Sequence, residues 1–424
     1  MTPNKLNDFR QRLGPGLITG AADDDPSGIA TYSQAGAQYR FGLVWTLLLT
    51  TPLMIGIQML SARIGWVTGE GLGANIGRVC PRWLTVSLVA LLVVANTINI
   101  AADIGAMAEA VRLFAGGHHL LYLLAFGAVS VLGQVAFSYE RTVRILKWLT
   151  LALFSYVAVA LAVKVPMRAA IAESLQPWRY LPAGLSMRDY ASMVVAVLGT
   201  TISPYLFFWQ ASQEAEDAYR RPEAASLRGH PAYDAEHLAR IKTDTQVGMI
   251  FSNVIALCIV VATAVTLNTH GITQIQTSAQ AAEALRPVAG EFAFIVFALG
   301  IIGTGLLAVP VLAGSAAYAV SEVFGWRAGF SHGFHRARGF YFIIIAATGI
   351  GTLMSVLELD PIKALLWSAI VNGVISVPIM VVLMWIGQSR HIMGAHTITL
   401  RHRLLGWAAT GVMAAAVGFM LFTS

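Results

Sequence analysis

An all-α integral membrane fold follows from two features of composition and one of pattern. More than half of the 424 residues are hydrophobic (56%) and only 12% are charged, a balance that a water-soluble chain of this length reaches only by burying charge or exposing large apolar patches. Segments of roughly 20 apolar residues, each able to cross a hydrocarbon core of about 30 Å, recur from one end to the other with short polar joins. Lipid offers the backbone no hydrogen bonds, so these segments must be helices that satisfy themselves. The formal charge of +6 does not point to nucleic acid, because Lys and Arg fall almost wholly between the apolar segments and report topology instead. Cys80 and Cys258 lie far apart without ligand spacing, which argues against a disulfide framework and a zinc site.

The expected spans run approximately 15 to 35, 43 to 65, 84 to 113, 119 to 138, 145 to 166, 190 to 212, 246 to 268, 291 to 322, 339 to 358, 362 to 387 and 404 to 422. That is about eleven transmembrane helices. Polar Thr2 to Arg12 precede the first span without a cleavable apolar core, so this span is expected to serve as the insertion signal and stay in place. With a cytoplasmic N-terminus, about 20 of the 28 basic residues fall in inside segments. The odd number of spans then puts the C-terminus outside. Glu214 to Thr245, the longest inner connection, reads as a mobile or short-helical cytoplasmic loop.

Two spans are interrupted alike. Asp23-Asp24-Asp25-Pro26-Ser27-Gly28 breaks the first, and Gly199-Thr200-Thr201-Ile202-Ser203-Pro204-Tyr205 breaks the sixth. A Pro beside Gly or hydroxyl residues frees backbone carbonyls, and such a break survives at membrane depth only where it lines a protected cavity. Breaks five helices apart run in opposite directions, the signature of two inverted five-helix repeats with a substrate site between them. One transmembrane domain is therefore expected over 1–424, with repeat one at about 15–166, repeat two at about 190–387 and an extra helix at about 404–422. Two structural proline kinks are the simpler alternative. The aspartates argue against it, since a carboxylate near the bilayer centre costs a few kcal/mol unless compensated.

At each break one half-helix ends, presenting unpaired carbonyls and the negative end of its dipole, which suits a cation. Asp25 adds a full charge, Thr200 and Ser203 add neutral oxygens, and Gly28 leaves room. These hard donors suit magnesium, which accepts one carboxylate and a few oxygens while retaining water. Met, Cys and His, which would favour later transition metals, are absent from both breaks. Asp24 is expected to face an inner vestibule or to pair with a neighbour. Asn96, Asn99 and Asp103 share one face of span three, either lining the path or bonding between helices. Gln210, Glu214 and Asp217 form a similar stripe in span six, an inner vestibule or a solvated helix end. Tyr205 follows the second break, and Asn372 in span ten is a lone polar residue able to supply a further oxygen in a closed state. The histidines sit in loops or at span ends and read as solvated.

Gly14-Pro15-Gly16 through Asp25-Pro26 to Gln34-Ala35-Gly36-Ala37, then Ser61-Ala62-Arg63-Ile64-Gly65 and Thr68-Gly69, resemble the start of the NRAMP metal transporters. Ala102-Asp103, the Ser203-Pro204 break and Gly303 to Glu322 extend the similarity. The resemblance implies a leucine-transporter-like fold with metal held between helices one and six. Manganese and iron carriers of that family have Asp-Pro-Gly-Asn in helix one and Met-Pro-His in helix six. The matching residues here are Asp25-Pro26-Ser27-Gly28 and Ser203-Pro204-Tyr205, so the soft thioether is missing. This pattern, with the following Leu206 to Gln210, is similar to the NRAMP-related magnesium transporters and implies Mg2+ uptake, with Mn2+ as well, through a roomier and partly hydrated site. The family carboxylate one turn past Asp103 is Ala106, and the histidine is also lost, so uptake without proton coupling is expected.

The transported ion, Mg2+ or Mn2+, is then the substrate, with no cofactor, no catalytic residues and no obligatory protein partner expected. The cell membrane is the expected location. One alternative is a proton-coupled Mn2+/Fe2+ symporter, which the absent methionine disfavours. Another is a sodium-coupled organic-solute carrier, whose anionic substrate three aspartates would repel. A membrane-embedded enzyme lacks the paired His motif or the Ser and base it would need.

Overall fold

In the computed structural model, residues 14–136, 149–176, 184–220, 231–357 and 361–423 are described. The chain is helical throughout these residues, and the helices follow the expected spans closely except at three places. The first span is two helices, α1 (Pro15–Asp23) and α2 (Pro26–Tyr39), followed by α3 (Val44–Thr68), the short α4 (Leu72–Val79), α5 (Arg82–Ala115) and α6 (His119–Ala136). The fifth span, whose residues 145–148 lie outside the described residues, is a 3-10 turn over Leu149–Leu153 leading into α7 (Phe154–Ala162) and α8 (Met167–Leu175). α9 (Met187–Thr201) and α10 (Pro204–Arg220) form the second broken span, before α11 (Pro231–Thr266), α12 (Ala293–Phe324), α13 (Arg338–Ser355), α14 (Pro361–Gln388) and α15 (Leu400–Phe422).

By length and apolarity, nine helices among the described residues are able to cross a membrane, or ten if the bent pair containing α7 and α8 is one span. The expected eleven is not reached on that criterion because the first span is divided into pieces of 9 and 14 residues. The bend of 109° between α7 and α8 also departs from a straight fifth span. It lets α8 fold back on the end of α2, where buried Glu173 accepts the Phe41 amide at 3.3 Å and pairs with Arg40 at 3.2 Å.

The seventh helix starts at Pro231, so the expected loop from Glu214 to Thr245 is mostly helix: α10 runs on to Arg220 and α11 is already formed at Glu236. Arg240 holds Glu214 at 2.6 Å and Asp217 at 3.5 Å. His237 is likewise buried and stacks on Trp66, with ring centroids 4.2 Å apart, in place of the solvated histidine expected.

The most apolar stretch of the α9–α10 span is 94% buried, against 22% for α6 and 33% for α13 and α15. The broken helices are therefore the centre of the bundle and α6, α13 and α15 its lipid-facing flank. Leu121, Leu132, Leu353 and Phe422 on those outer faces are exposed, as lipid-solvated side chains should be.

α1 lies unusually close to α11. A methyl at Gly20 would stand 2.2 Å from the Gly248 carbonyl oxygen, and one at Gly248 would meet the Gly16 carbonyl oxygen at 2.2 Å. The small residues Gly16 and Gly20, one turn apart, permit this backbone-to-backbone approach, the usual basis of tight helix pairing in lipid.

Candidate metal site

The first break has a clear local cause. Pro26 has no amide hydrogen to continue α1, and Asp25 adopts extended backbone and caps α2, its Oδ1 accepting the Gly28 amide at 2.7 Å. N-capping alone would account for one carboxylate oxygen. Oδ2 has only long contacts, 3.4 Å to the Asn99 amide nitrogen and 3.4 Å to the Tyr205 hydroxyl. The Tyr205 hydroxyl also reaches the Ala22 carbonyl at 3.1 Å, one of those freed at the end of α1. Asp25 is 2% exposed and has no basic partner among the described residues.

The second break stops α9 at Thr201 and restarts at Pro204. Ser203 donates back to the carbonyls of Gly199 at 2.7 Å and Thr200 at 2.9 Å, so its proton is spent within the break while its lone pairs stay available. Thr200 faces the first break. The space a Gly28 side chain would fill is bounded by the Thr200 hydroxyl and the Asp23 carbonyl, each 3.2 Å from a Cβ built there, with the Tyr32 ring at 3.4 Å. Gly28 thus keeps open the gap between the two breaks.

Asn99 and Asn96, which share a stripe in the sequence, do different work. Asn96 ties α5 to α12 through the Leu312 carbonyl at 2.9 Å and the Ser315 hydroxyl at 2.8 Å. Asn99 points at Asp25 and keeps its own Oδ1 buried without a partner. Asp103 is fully buried within electrostatic range of Asp25, and neither of its oxygens makes a well-formed hydrogen bond. On α14, Ser368 and the Leu365 carbonyl hold Ser27 at 3.2 and 2.9 Å. Asn372, one turn beyond Ser368, is buried with its Oδ1 unpartnered. The structure brings together Asp25, Gly28, Thr200, Asn99 and Tyr205, whereas Ser203 bonds within its own break and no hydrogen bond links Asn372 to Asp25.

On the other side of Asp25, Asp23 and Asp24 are both fully buried and share the Ser252 hydroxyl of α11, at 2.5 and 3.3 Å. Asp244, one turn before Gly248, accepts the amides of Gly14, Gly16 and Leu17 at 2.9, 2.7 and 3.0 Å and so clamps the start of α1. Gln210 and Glu214 are fully buried and are not a solvated helix end. Gln210 bonds Thr245 at 2.8 Å and accepts from Gln58 at 2.7 Å, tying α3, α10 and α11 together. Ser252, Tyr32 and Asp244 were not singled out from the sequence. Thr245, Gly248 and Ser252, spaced three and four apart on one face of an apolar helix, were the available signal.

Among the described residues no group of three or more His, Cys, Asp and Glu side chains is arranged to hold a metal ion. The arrangement instead offers one carboxylate with amide, hydroxyl and carbonyl oxygens around it.

The family model described as Nramp, natural resistance-associated macrophage protein-like, matches residues 16–423. The chain belongs to the Nramp family. Among curated relatives of this Nramp chain, the divalent metal cation transporter MntH of Deinococcus radiodurans is 24% identical over 97% of this chain and 89% of its own length. The protein of the same name from Acidiphilium cryptum is 27% identical, over 90% of this chain and 83% of its own. A crystal structure of the Eremococcus coleocola manganese transporter superposes with a TM-score of 0.76 at 14% identity, covering 100% of this chain and 96% of that one. Mhp1, a nucleobase-cation-symport-1 family transporter, superposes at 0.55 with 14% identity, covering 97% and 92%. These likenesses establish the expected fold: a multi-pass helical membrane protein of the broken-helix transporter type.

Proposed function

We propose that this chain is a transporter that moves a divalent cation into the cell by alternating access, magnesium first and manganese as well, driven by membrane potential without proton coupling. The observation that carries this reading is the donor set around Asp25. A buried carboxylate without a basic partner needs a positive charge to offset its desolvation, and the oxygens around it are all hard. Asp25 Oδ2, the Asn99 amide oxygen, the Thr200 hydroxyl and the carbonyls of Ala22 and Asp23 are the proposed ligands, with the lone pairs of Ser203 and the oxygen of Asn372 in reserve. The absence of a side chain at Gly28 leaves the position between the Thr200 hydroxyl and the Asp23 carbonyl to the ion and its water, and magnesium is an ion that keeps water. Nothing soft is contributed by Ser203 or Tyr205, where the family's manganese and iron carriers have methionine and histidine.

The ion is cargo, and the cell membrane is the proposed location, with the N-terminus inside and the C-terminus outside. In that orientation α1 is the inner half of the first span, and its clamp on α11 is the inner gate. The repeats at about 15–166 and 190–387 would rock around the fixed site. The names of the relatives support divalent metal transport.

A proton-coupled manganese or iron symporter is the second reading, favoured by one observation: Asp103 is fully buried within electrostatic range of Asp25, and neither of its oxygens makes a well-formed hydrogen bond. Proteoliposomes loaded with a magnesium-sensitive dye, under an inside-negative potential, separate the two. Mg2+ entry that vanishes in Asp25→Ala supports the proposal. Manganese entry without magnesium entry favours the symporter, and entry of neither reopens the organic-solute carrier.

A further inference from the structure

Beneath the Asp25 site lies a second set of uncompensated charges. Asp23 and Asp24 are 0% exposed, and no Lys, Arg or His pairs with either among the described residues. One hydroxyl, Ser252, stands between them, 2.5 Å from Asp23 Oδ2 and 3.3 Å from Asp24 Oδ1. A hydroxyl carries a single hydrogen and cannot serve both. Asp23 Oδ1 and Asp24 Oδ2 have no partner at all. The Tyr32 hydroxyl is also fully buried, makes no well-formed hydrogen bond, and lies between Thr200 and the two carboxylates, within electrostatic range of both. Asp23 is the last residue of α1, where the helix dipole adds partial negative charge.

Buried carboxylates, a hydroxyl placed between them and a buried phenol do not satisfy one another. A hard cation satisfies them all, accepting both free carboxylate oxygens and the lone pairs of Ser252 and Tyr32, with water completing its shell. Its carboxylates differ from Asp25 in where they stand: Asp25 caps α2, whereas Asp23 and Asp24 stand at the end of α1 and meet Ser252 of α11, with Tyr32 of α2 between the two sites. We propose that Asp23, Asp24, Ser252 and Tyr32 form a second divalent-cation site, one step towards the cytoplasm from Asp25, where the ion rests before release. The inference rests on the transport reading above. Two weaker stations in series let an ion enter without being trapped, the requirement that conduction through any selective path must meet.

The test is Mn2+ binding to the purified full-length protein, read by the loss of free-ion electron paramagnetic resonance signal. Asp25→Ala is expected to keep a Mn2+ site, weakened at least tenfold and competed by Mg2+, and adding Asp23→Asn and Asp24→Asn is expected to remove it. Ser252→Ala in the Asp25→Ala background should weaken it several-fold, and this milder change guards against misfolding of the triple variant. Asp25→Ala that elutes and melts like the native chain yet binds no Mn2+ overturns the inference. So does residual binding that survives both the triple variant and Ser252→Ala. Failure of the transport reading shows separately, as absent Mg2+ and Mn2+ uptake by the native chain.

Discussion

Replacing Asp244 with Ala should open the inner end of the bundle. The carboxylate accepts three backbone amides at the start of α1, from Gly14, Gly16 and Leu17, at 2.7 to 3.0 Å. Hydrogen bonds to a charged acceptor contribute about 1.5–3 kcal/mol each, and water recovers much of this once α1 swings away from α11. Taking about 2–3 kcal/mol as the part that distinguishes closed from open, the open fraction rises roughly 30- to 150-fold at 1.4 kcal/mol per factor of ten. Thr19, fully buried on α1, reports the change. With both native cysteines, Cys80 and Cys258, replaced by Ser, a Thr19→Cys reporter should react with a membrane-impermeant maleimide in inside-out vesicles far faster when Asp244→Ala is added. Asp244→Asn, which keeps a neutral acceptor, should fall between. Unchanged labelling in a variant that melts like its parent would refute the clamp.

Gly28→Asn should lower Mg2+ uptake by about tenfold or more, roughly 1.4 kcal/mol, with Mn2+ less affected, because a side chain there fills the gap bounded by Thr200 and Asp23. Parallel dye-based uptake of the two ions checks it. Ser203→Met forfeits the one hydroxyl hydrogen shared between the Gly199 and Thr200 carbonyls, about 1 kcal/mol, but adds a soft donor, so Cd2+ should compete with Mg2+ more strongly than in the native chain. Gly248→Val drives a side chain into the Gly16 carbonyl and should hold α1 away, raising Thr19→Cys labelling and lowering uptake while the protein still elutes as a single species. Asp103→Asn should leave Mg2+ uptake within a few-fold of native and leave a pH-sensitive dye silent in both proteins; metal-dependent proton entry abolished by Asp103→Asn would establish coupling instead.

The helical frame was legible because a bilayer imposes one length and one polarity on everything that crosses it. The two breaks were legible because Pro26 and Pro204 remove amides at places where apolar sequence otherwise continues. What sequence concealed was pairing between distant residues. Arg240 and Glu214 fall within the expected loop until each is seen to bury the other, and Asp244, not singled out there, holds amides more than 200 positions away. The stripe of Asn96 and Asn99 supported either bonding between helices or a lining role, and in the structure Asn96 bonds α12 while Asn99 turns towards Asp25. The 109° bend after α7 falls at Val163 to Pro166, where a proline separates two short helices, but the docking of Glu173 on Arg40 and Phe41, more than 130 positions away, is announced by no local pattern.

The account turns on an ion held at Asp25 by hard oxygens between the two breaks. Diffraction from Mn2+-soaked crystals, collected for manganese anomalous signal, tests that claim most directly. It predicts a peak within coordination distance of Asp25 Oδ2, in the gap between Gly28 and Thr200, that disappears in Asp25→Ala. Manganese peaks confined to positions away from Asp25, unchanged in that variant, would contradict it.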